Sequence, residues 1–125
     1  MGHTVTSVKL YAADRSISKQ VDLLVDTGST YTWIPRAVLE EISVKPSTTR
    51  NFRTIDGRTL KRDVGEVLME CANERSTSMV VFADAGDANV LGVHALEGLG
   101  LEVDPLSKEL RKSEALLALH CVTRF

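Results

Sequence analysis

The chain has 125 residues, 43% of them hydrophobic, and a formal net charge of −2. That length holds one domain with a modest core, and the near-neutral balance argues against nucleic-acid binding, which needs a basic footprint. No apolar run approaches the ~20 residues of a membrane helix, and Met1-Gly2-His3-Thr4 lacks the basic start and apolar run of a secretory leader, so a cytoplasmic protein is expected.

Val5, Val8, Leu10 and Ala12 are mostly spaced by two, which predicts a half-buried strand from Thr4 to Ala13. Asp14-Arg15-Ser16 reads as a turn, and Ile17 to Val25 as a second strand completing a hairpin. The end of that strand is nearly continuous in apolar residues and delivers one carboxylate, Asp26. Thr27-Gly28 follows as a tight turn, for which the backbone freedom of glycine is expected to be needed. Tyr31-Thr32-Trp33-Ile34 suits a short buried strand, with Trp33 expected in the core. Pro35 is expected to open a helix whose apolar side is Ala37, Val38, Leu39 and Ile42.

Thr48 to Leu60 surrounds Asp56-Gly57, a strong hairpin signal. Arg50, Arg53, Arg58, Lys61 and Arg62 give this hairpin the one local basic cluster, read as a solvated face. Val64 to Met69 continues as strand, Asn73-Glu74-Arg75-Ser76 is expected to turn, and Met79 to Ala83 is a buried strand. A loop at Ala85 to Asn89 leads into Val90-Leu91-Gly92, then a short helix over Val93 to Leu99 capped by Gly100. Leu101-Glu102-Val103 is extended, Asp104-Pro105 turns, and Glu114 to Val122 fits either a helix or a buried strand. Cys71 and Cys121 have no metal-type spacing and are expected as reduced thiols, and His3, His94 and His120 have no ligand or nucleophile partner. No cofactor and no metal are expected.

Three features recur in one order: an apolar strand ending in Asp26-Thr27-Gly28-Ser29-Thr30, a hairpin with Gly57 at its tip, and Val90-Leu91-Gly92 before a helix. In that order, over roughly Leu23 to Leu99, the chain resembles the aspartic proteases, and its single motif points to their retroviral-type, retropepsin-like branch. The resemblance implies a mostly β fold: a single retropepsin-like acid-protease β-barrel domain over residues 1–125, with one or two short helices, acting as a homodimer. Aspartic proteolysis needs two carboxylates sharing one site, one protonated as acid and one ionised as base. Asp56, Asp63, Asp84 and Asp87 all lack the motif, so the second carboxylate is expected from Asp26 of another copy, across a two-fold axis.

By that resemblance Asp26 is the acid/base residue, Thr27 braces the two loops at the axis, and Gly28 donates its N–H to the carboxylate. Ile55, Asp56 and Gly57 form a flap tip over a peptide or unfolded-protein substrate, Ala88, Asn89 and Val90 line a side-chain pocket, and Gly92 supports the Asp26 loop. Many viral members pair an Asp two positions after the motif glycine with an Arg after the later glycine. Thr30 and Val93 stand at those positions here, which indicates a cellular relative. Residues 100–125 are a possible dimerisation segment, with Leu116, Leu117 and Leu119 as its strand. The resulting expectation is an aspartic endopeptidase. The alternatives are a catalytically weak dimeric peptide-binding module on the same fold, and a structural dimer in which Asp26-Thr27-Gly28 is only a turn.

Overall fold

The alternation of Val8 and Leu10 with exposed Ser7 and Lys9 is realised in β1 (Thr4–Tyr11), which buries the apolar pair on one face. The structure, a computed structural model, describes residues 4–114, and nine strands and two short helices lie among them. β1 pairs antiparallel with β2 (Ser18–Val25) over its whole length, from Thr4 opposite Val25 to Tyr11 opposite Ser18. The turn between them is closed by the Ala12 N–H on the Ile17 carbonyl, 3.0 Å.

Six strands close into a barrel. β2 runs parallel to β7 (Val90–Leu91), β7 pairs with β3 (Thr32–Pro35) at Trp33, and β3 runs parallel to β6 (Glu74–Ala83). β6 pairs antiparallel with β5 (Thr59–Cys71), and β5 returns to β1 through Leu68–Glu70 opposite Lys9–Tyr11. Closure satisfies backbone groups that an open sheet edge would leave to solvent. β4 (Thr48–Arg53) lies outside the ring, paired only with the first half of β5. Val8, Leu10, Leu23, Ile34, Met69, Val80, Phe82 and Leu91 fill the interior.

Two helices plug the barrel. α1 (Arg36–Glu41) buries Leu39, and Ile42 just past its end is buried too, while Ala37 faces solvent. Pro35 stands one position earlier than expected, as the residue that caps α1 and not its first helical residue. α2 (Val93–Leu99) buries Ala95, Leu96 and Leu99, and Gly100 ends it in the left-handed region at φ 70°.

Three details depart from the sequence reading. The turn expected at Asn73 to Ser76 is the two-residue Ala72-Asn73, both at positive φ (51° and 67°), so Glu74 to Ser76 belong to β6. Such a pair matches the right-handed twist of the flanking strands. The flap-side hairpin and the strand after it are one continuous β5 of 13 residues. Residues 101–112 form an additional hairpin, β8 (Leu101–Val103) against β9 (Leu110–Lys112), whose turn is held by the Asp104 carboxylate on the Leu106 N–H at 2.8 Å. Most of the segment expected from Glu114 to Val122 lies outside the described residues, as do Cys121, His3 and His120. Cys71 is a buried free thiol. Among the described residues no helix is long and apolar enough to cross a membrane.

Candidate active site

β2 and β7 run side by side into the site, and their parallel pairing puts Asp26 next to Leu91, whose carbonyl accepts the Asp26 N–H at 3.0 Å. The chain then reverses: the Ser29 N–H returns to the Asp26 carbonyl at 3.1 Å, and the Gly28 N–H donates to Asp26 Oδ1 at 2.9 Å. The carboxylate is half-buried, while Thr27 and Gly28 are exposed. Gly28 is not held at a positive φ, contrary to the expectation that its backbone freedom makes the turn. A Cβ there would lie 3.2 Å from Asp26 Oδ1, a tight contact that asks the carboxylate to shift by a few tenths of an ångström.

Gly92 sets the height of this loop. A Cβ on Gly92 would stand 2.4 Å from the Tyr31 carbonyl oxygen and 2.8 Å from that of Ser29. With only hydrogen there, the start of α2 docks under the loop. Val93 and His94 donate their N–H groups to the Ser29 and Thr30 carbonyls at 2.8 and 3.0 Å, and the Gly92 N–H goes to the buried Thr32 hydroxyl at 2.9 Å. Backbone contacts thus tie Ser29 and Thr30 to Val93 and His94.

Two adjoining hollows open beside the carboxylate. The first, about 270 Å³, places Asp26 with Trp33, Thr54, Arg58, Leu60, Asp87, Ala88 and Val90. The second, about 380 Å³, lies between the Gly28–Tyr31 turn and the hairpin, with Trp33, Phe52, Arg53 and Ile55 in its wall. Of the residues expected at the pocket, Ala88 and Val90 join Asp26, whereas Asn89 faces a separate hollow beside Pro35 and Arg36. Of the expected flap tip, Ile55 lines the second hollow. Asp56 and Gly57 form the bend beyond it, with Gly57 at φ 88°, a conformation that side chains resist.

Several residues of this region were not legible as such in the sequence. Trp33 is not core: it is half-buried and forms the ridge shared by both hollows, in edge-to-face contact with Phe52 at 5.1 Å. Tyr31 meets Phe52 likewise at 5.9 Å. The cross-strand pairs Phe52–Leu60 and Arg50–Arg62 show which hairpin face looks toward Asp26, a signal available from period-two alternation.

Arg62, expected on a solvated face, is instead 84% covered: its side chain is 16% exposed and that of Asp87 10% exposed. Its Nε and Nη2 donate to both Asp87 oxygens, at 2.7 and 3.0 Å. The Arg62 guanidinium, through that hydrogen bond above all, holds the Asp87 carboxyl below its ordinary range. Asp87 Oδ2 also accepts the Asp84 N–H at 2.8 Å, and Arg36 bridges Asp84 and Asp63. This chain of ion pairs fastens the root of the hairpin and the start of α1 to the 84–87 turn, from which Ala88 and Val90 reach the Asp26 hollow. Among the described residues no cluster of His, Cys, Asp and Glu is arranged to hold a metal ion.

A profile of the aspartyl protease family matches residues 8–95, a stretch that includes the Asp26 turn, the hairpin and Gly92. Among solved structures the chain is similar to the protease of simian foamy virus (mac), with a TM-score of 0.53 and 19% identity, over 75% of this chain and 92% of that one. At that identity the similarity establishes the fold, a retroviral-protease barrel. No curated protein matches the chain.

Proposed function

The chain belongs to the aspartyl protease family and has a retropepsin-like fold, and from that premise we propose that it is an aspartic endopeptidase working as a homodimer. Residues 1–125 are one domain of this kind in our reading. The observation that carries the proposal is the Asp26 carboxylate: half-exposed, oriented by the Gly28 N–H, and set at the mouth of a peptide-sized groove.

One carboxylate does not suffice for the reaction. Within the groove the other carboxylate is Asp87, and both of its oxygens are engaged by Arg62. The second acid/base group is therefore Asp26 of the partner subunit, with Thr27 exposed beside the axis to brace the pair. Two like charges that close do not both ionise, so one carboxyl keeps its proton, as in aspartic-protease dyads generally. The ionised one takes a proton from water as the water oxygen bonds to the peptide carbonyl carbon. The protonated one gives its proton to the carbonyl oxygen. Collapse of the resulting diol breaks the C–N bond and moves a proton to the leaving nitrogen, yielding a free acid and a free amine with both carboxyls returned to their starting state. No covalent intermediate, metal or cofactor enters this sequence.

The hairpin tip at Ile55, Asp56 and Gly57 closes over an extended substrate and excludes water, and Ala88 and Val90 hold a side chain next to the scissile bond. The reading is supported by the position of Thr54, Arg58 and Leu60 of that hairpin in the wall of the Asp26 hollow. It is tested by incubating a denatured protein with the wild type and with Asp26→Asn from acid to neutral pH. Cleavage by the wild type only, with a bell-shaped pH profile belonging to the coupled pair, is expected. Absence of cleavage by either, with the dimer intact, would make the chain a binding module on a protease fold.

A further inference from the structure

The two hollows beside Asp26 differ in charge. The first contains two carboxylates, Asp26 and Asp87, with Arg58 as its one cation. The second has no carboxylate in its lining, and Arg53 stands in its wall beside Tyr31, Trp33, Phe52 and Ile55. At its rim, Arg50 lies over the Tyr31 ring, its guanidinium carbon 5.9 Å from the centroid and Nη1 3.3 Å from the Tyr31 hydroxyl. The stacked phenol orients the guanidinium fork and leaves most of its donors free.

The neighbouring arginines are already satisfied. Arg58 pairs with Asp56, Arg62 with Asp87 and Asp84, and Arg36 with Asp63 and Asp84. Arg50 sits directly opposite Arg62 across the β4–β5 ladder, where two like charges repel unless each has a counter-charge. Arg62 has one and Arg50 does not: among the described residues neither Arg50 nor Arg53 makes an ion pair. Arg50 at the Tyr31 rim and Arg53 in the wall are thus, among the described residues, two cations without an ion-pair partner beside an aromatic wall.

We propose that the hollow between the Gly28–Tyr31 turn and β4 is a substrate subsite for an acidic side chain, Asp or Glu, whose carboxylate is bound by Arg50 at the rim, with Arg53 at the end of β4 as the second cation in its wall. The aromatic wall of Tyr31, Phe52 and Trp33 packs the methylene stem of such a residue, and the Arg50 guanidinium binds its end. The adjoining hollow, with Trp33, Leu60, Ala88 and Val90 in its lining, takes the apolar neighbour. The substrate class is thus an extended peptide in which an acidic residue lies near an apolar one at the cleavage point. This inference rests on the proteolytic reading above.

The test uses a peptide library from a lysine-specific digest of total cell protein, with the cut positions mapped by mass spectrometry. Wild type is expected to enrich Asp and Glu at one position beside the cleaved bond, roughly two- to fivefold over the library, the scale of an accessible charge pair. Arg50→Gln with Arg53→Gln removes that enrichment, and Arg50→Glu with Arg53→Glu replaces it by enrichment of Arg or histidine-type cations at the same position. Far-UV circular dichroism checks that each variant is folded. Wild-type cleavage without acidic enrichment, or enrichment that survives both double variants, overturns the proposal. Should wild type cleave nothing, the hydrolytic reading fails and the subsite is judged by binding: Asp26→Asn chain, immobilised and eluted, retains acidic peptides of the same library and loses them with the arginine variants. Equal retention by all three overturns the subsite as well.

Discussion

Gly92 and Gly98 stand six positions apart and make opposite predictions for the same substitution. In Gly92→Ala the new methyl would lie 2.4 Å from the Tyr31 oxygen, 2.7 Å from the Tyr31 carbonyl carbon and 2.8 Å from the Ser29 oxygen. All three are backbone atoms, so relief requires moving the loop. Overpacking of that kind costs ~1–3 kcal/mol. The movement also stretches the bonds from Val93 to Ser29, from His94 to Thr30 and from Gly92 to Thr32, each worth ~0.5–1.5 kcal/mol. Together these give a loss of ~3 kcal/mol or more, a large part of the ~5–15 kcal/mol of a typical domain. In Gly98→Ala the nearest atom, at 2.7 Å, is the Ser76 hydroxyl, which can rotate away, and alanine favours the helical backbone of α2 by up to ~1 kcal/mol. Urea unfolding at one fixed protomer concentration, followed by circular dichroism, measures both. The midpoint is expected to fall sharply for Gly92→Ala and to hold or rise slightly for Gly98→Ala. A change below ~1 kcal/mol for Gly92→Ala would refute the packing argument.

Three further outcomes follow from the same geometry. Asp87→Asn should cost ~1–3 kcal/mol at neutral pH, because it takes from the mostly covered Arg62 the counter-charge that engages it through two hydrogen bonds and leaves only Asp84 at 3.4 Å. Since Asp87 has its folded pKa below its unfolded one, the wild type holds this advantage above about pH 4 and loses it as pH falls through the folded value. Unfolding midpoints of the two proteins should therefore converge in acid, and a gap that persists there contradicts the assignment. Trp33 is the only tryptophan and forms the ridge of the groove, so a bound peptide should shift its emission in Asp26→Asn; an unchanged spectrum at saturation places the peptide elsewhere. Deleting Ser113 to Phe125 should yield monomers in sedimentation, and a persisting dimer removes that segment from the interface.

Much of this arrangement is legible from local pattern. The β1–β2 hairpin follows from residues spaced by two, and the Asp26 turn, Gly57 and Gly92 each occupy a position where one residue type meets one spatial demand. Elements set by distant partners are less legible. Arg62 looks like its exposed neighbours in sequence, and only the fold brings Asp87 beneath it, 25 residues away. Trp33 has the composition of a core residue, yet its strand pairs with β6 and β7 so that it faces the groove. The Ala72-Asn73 turn was hidden because alanine rarely adopts φ 51°, and the polar residues after it resemble a loop. Leu101–Val103 and the turn at Asp104 are legible, but their partner β9 is not, because charged Arg111 and Lys112 carry no apolar alternation.

The central claim is that two copies of Asp26 make one reacting centre. Wild type and Asp26→Asn, unfolded together, refolded and assayed on a denatured protein at constant total chain, test it directly. If both carboxylates are required and subunits pair at random, activity follows the square of the wild-type fraction, leaving about a quarter in an equal mixture. Activity proportional to the wild-type fraction, about half in that mixture, would mean that each chain works with its own groups and would contradict the shared dyad.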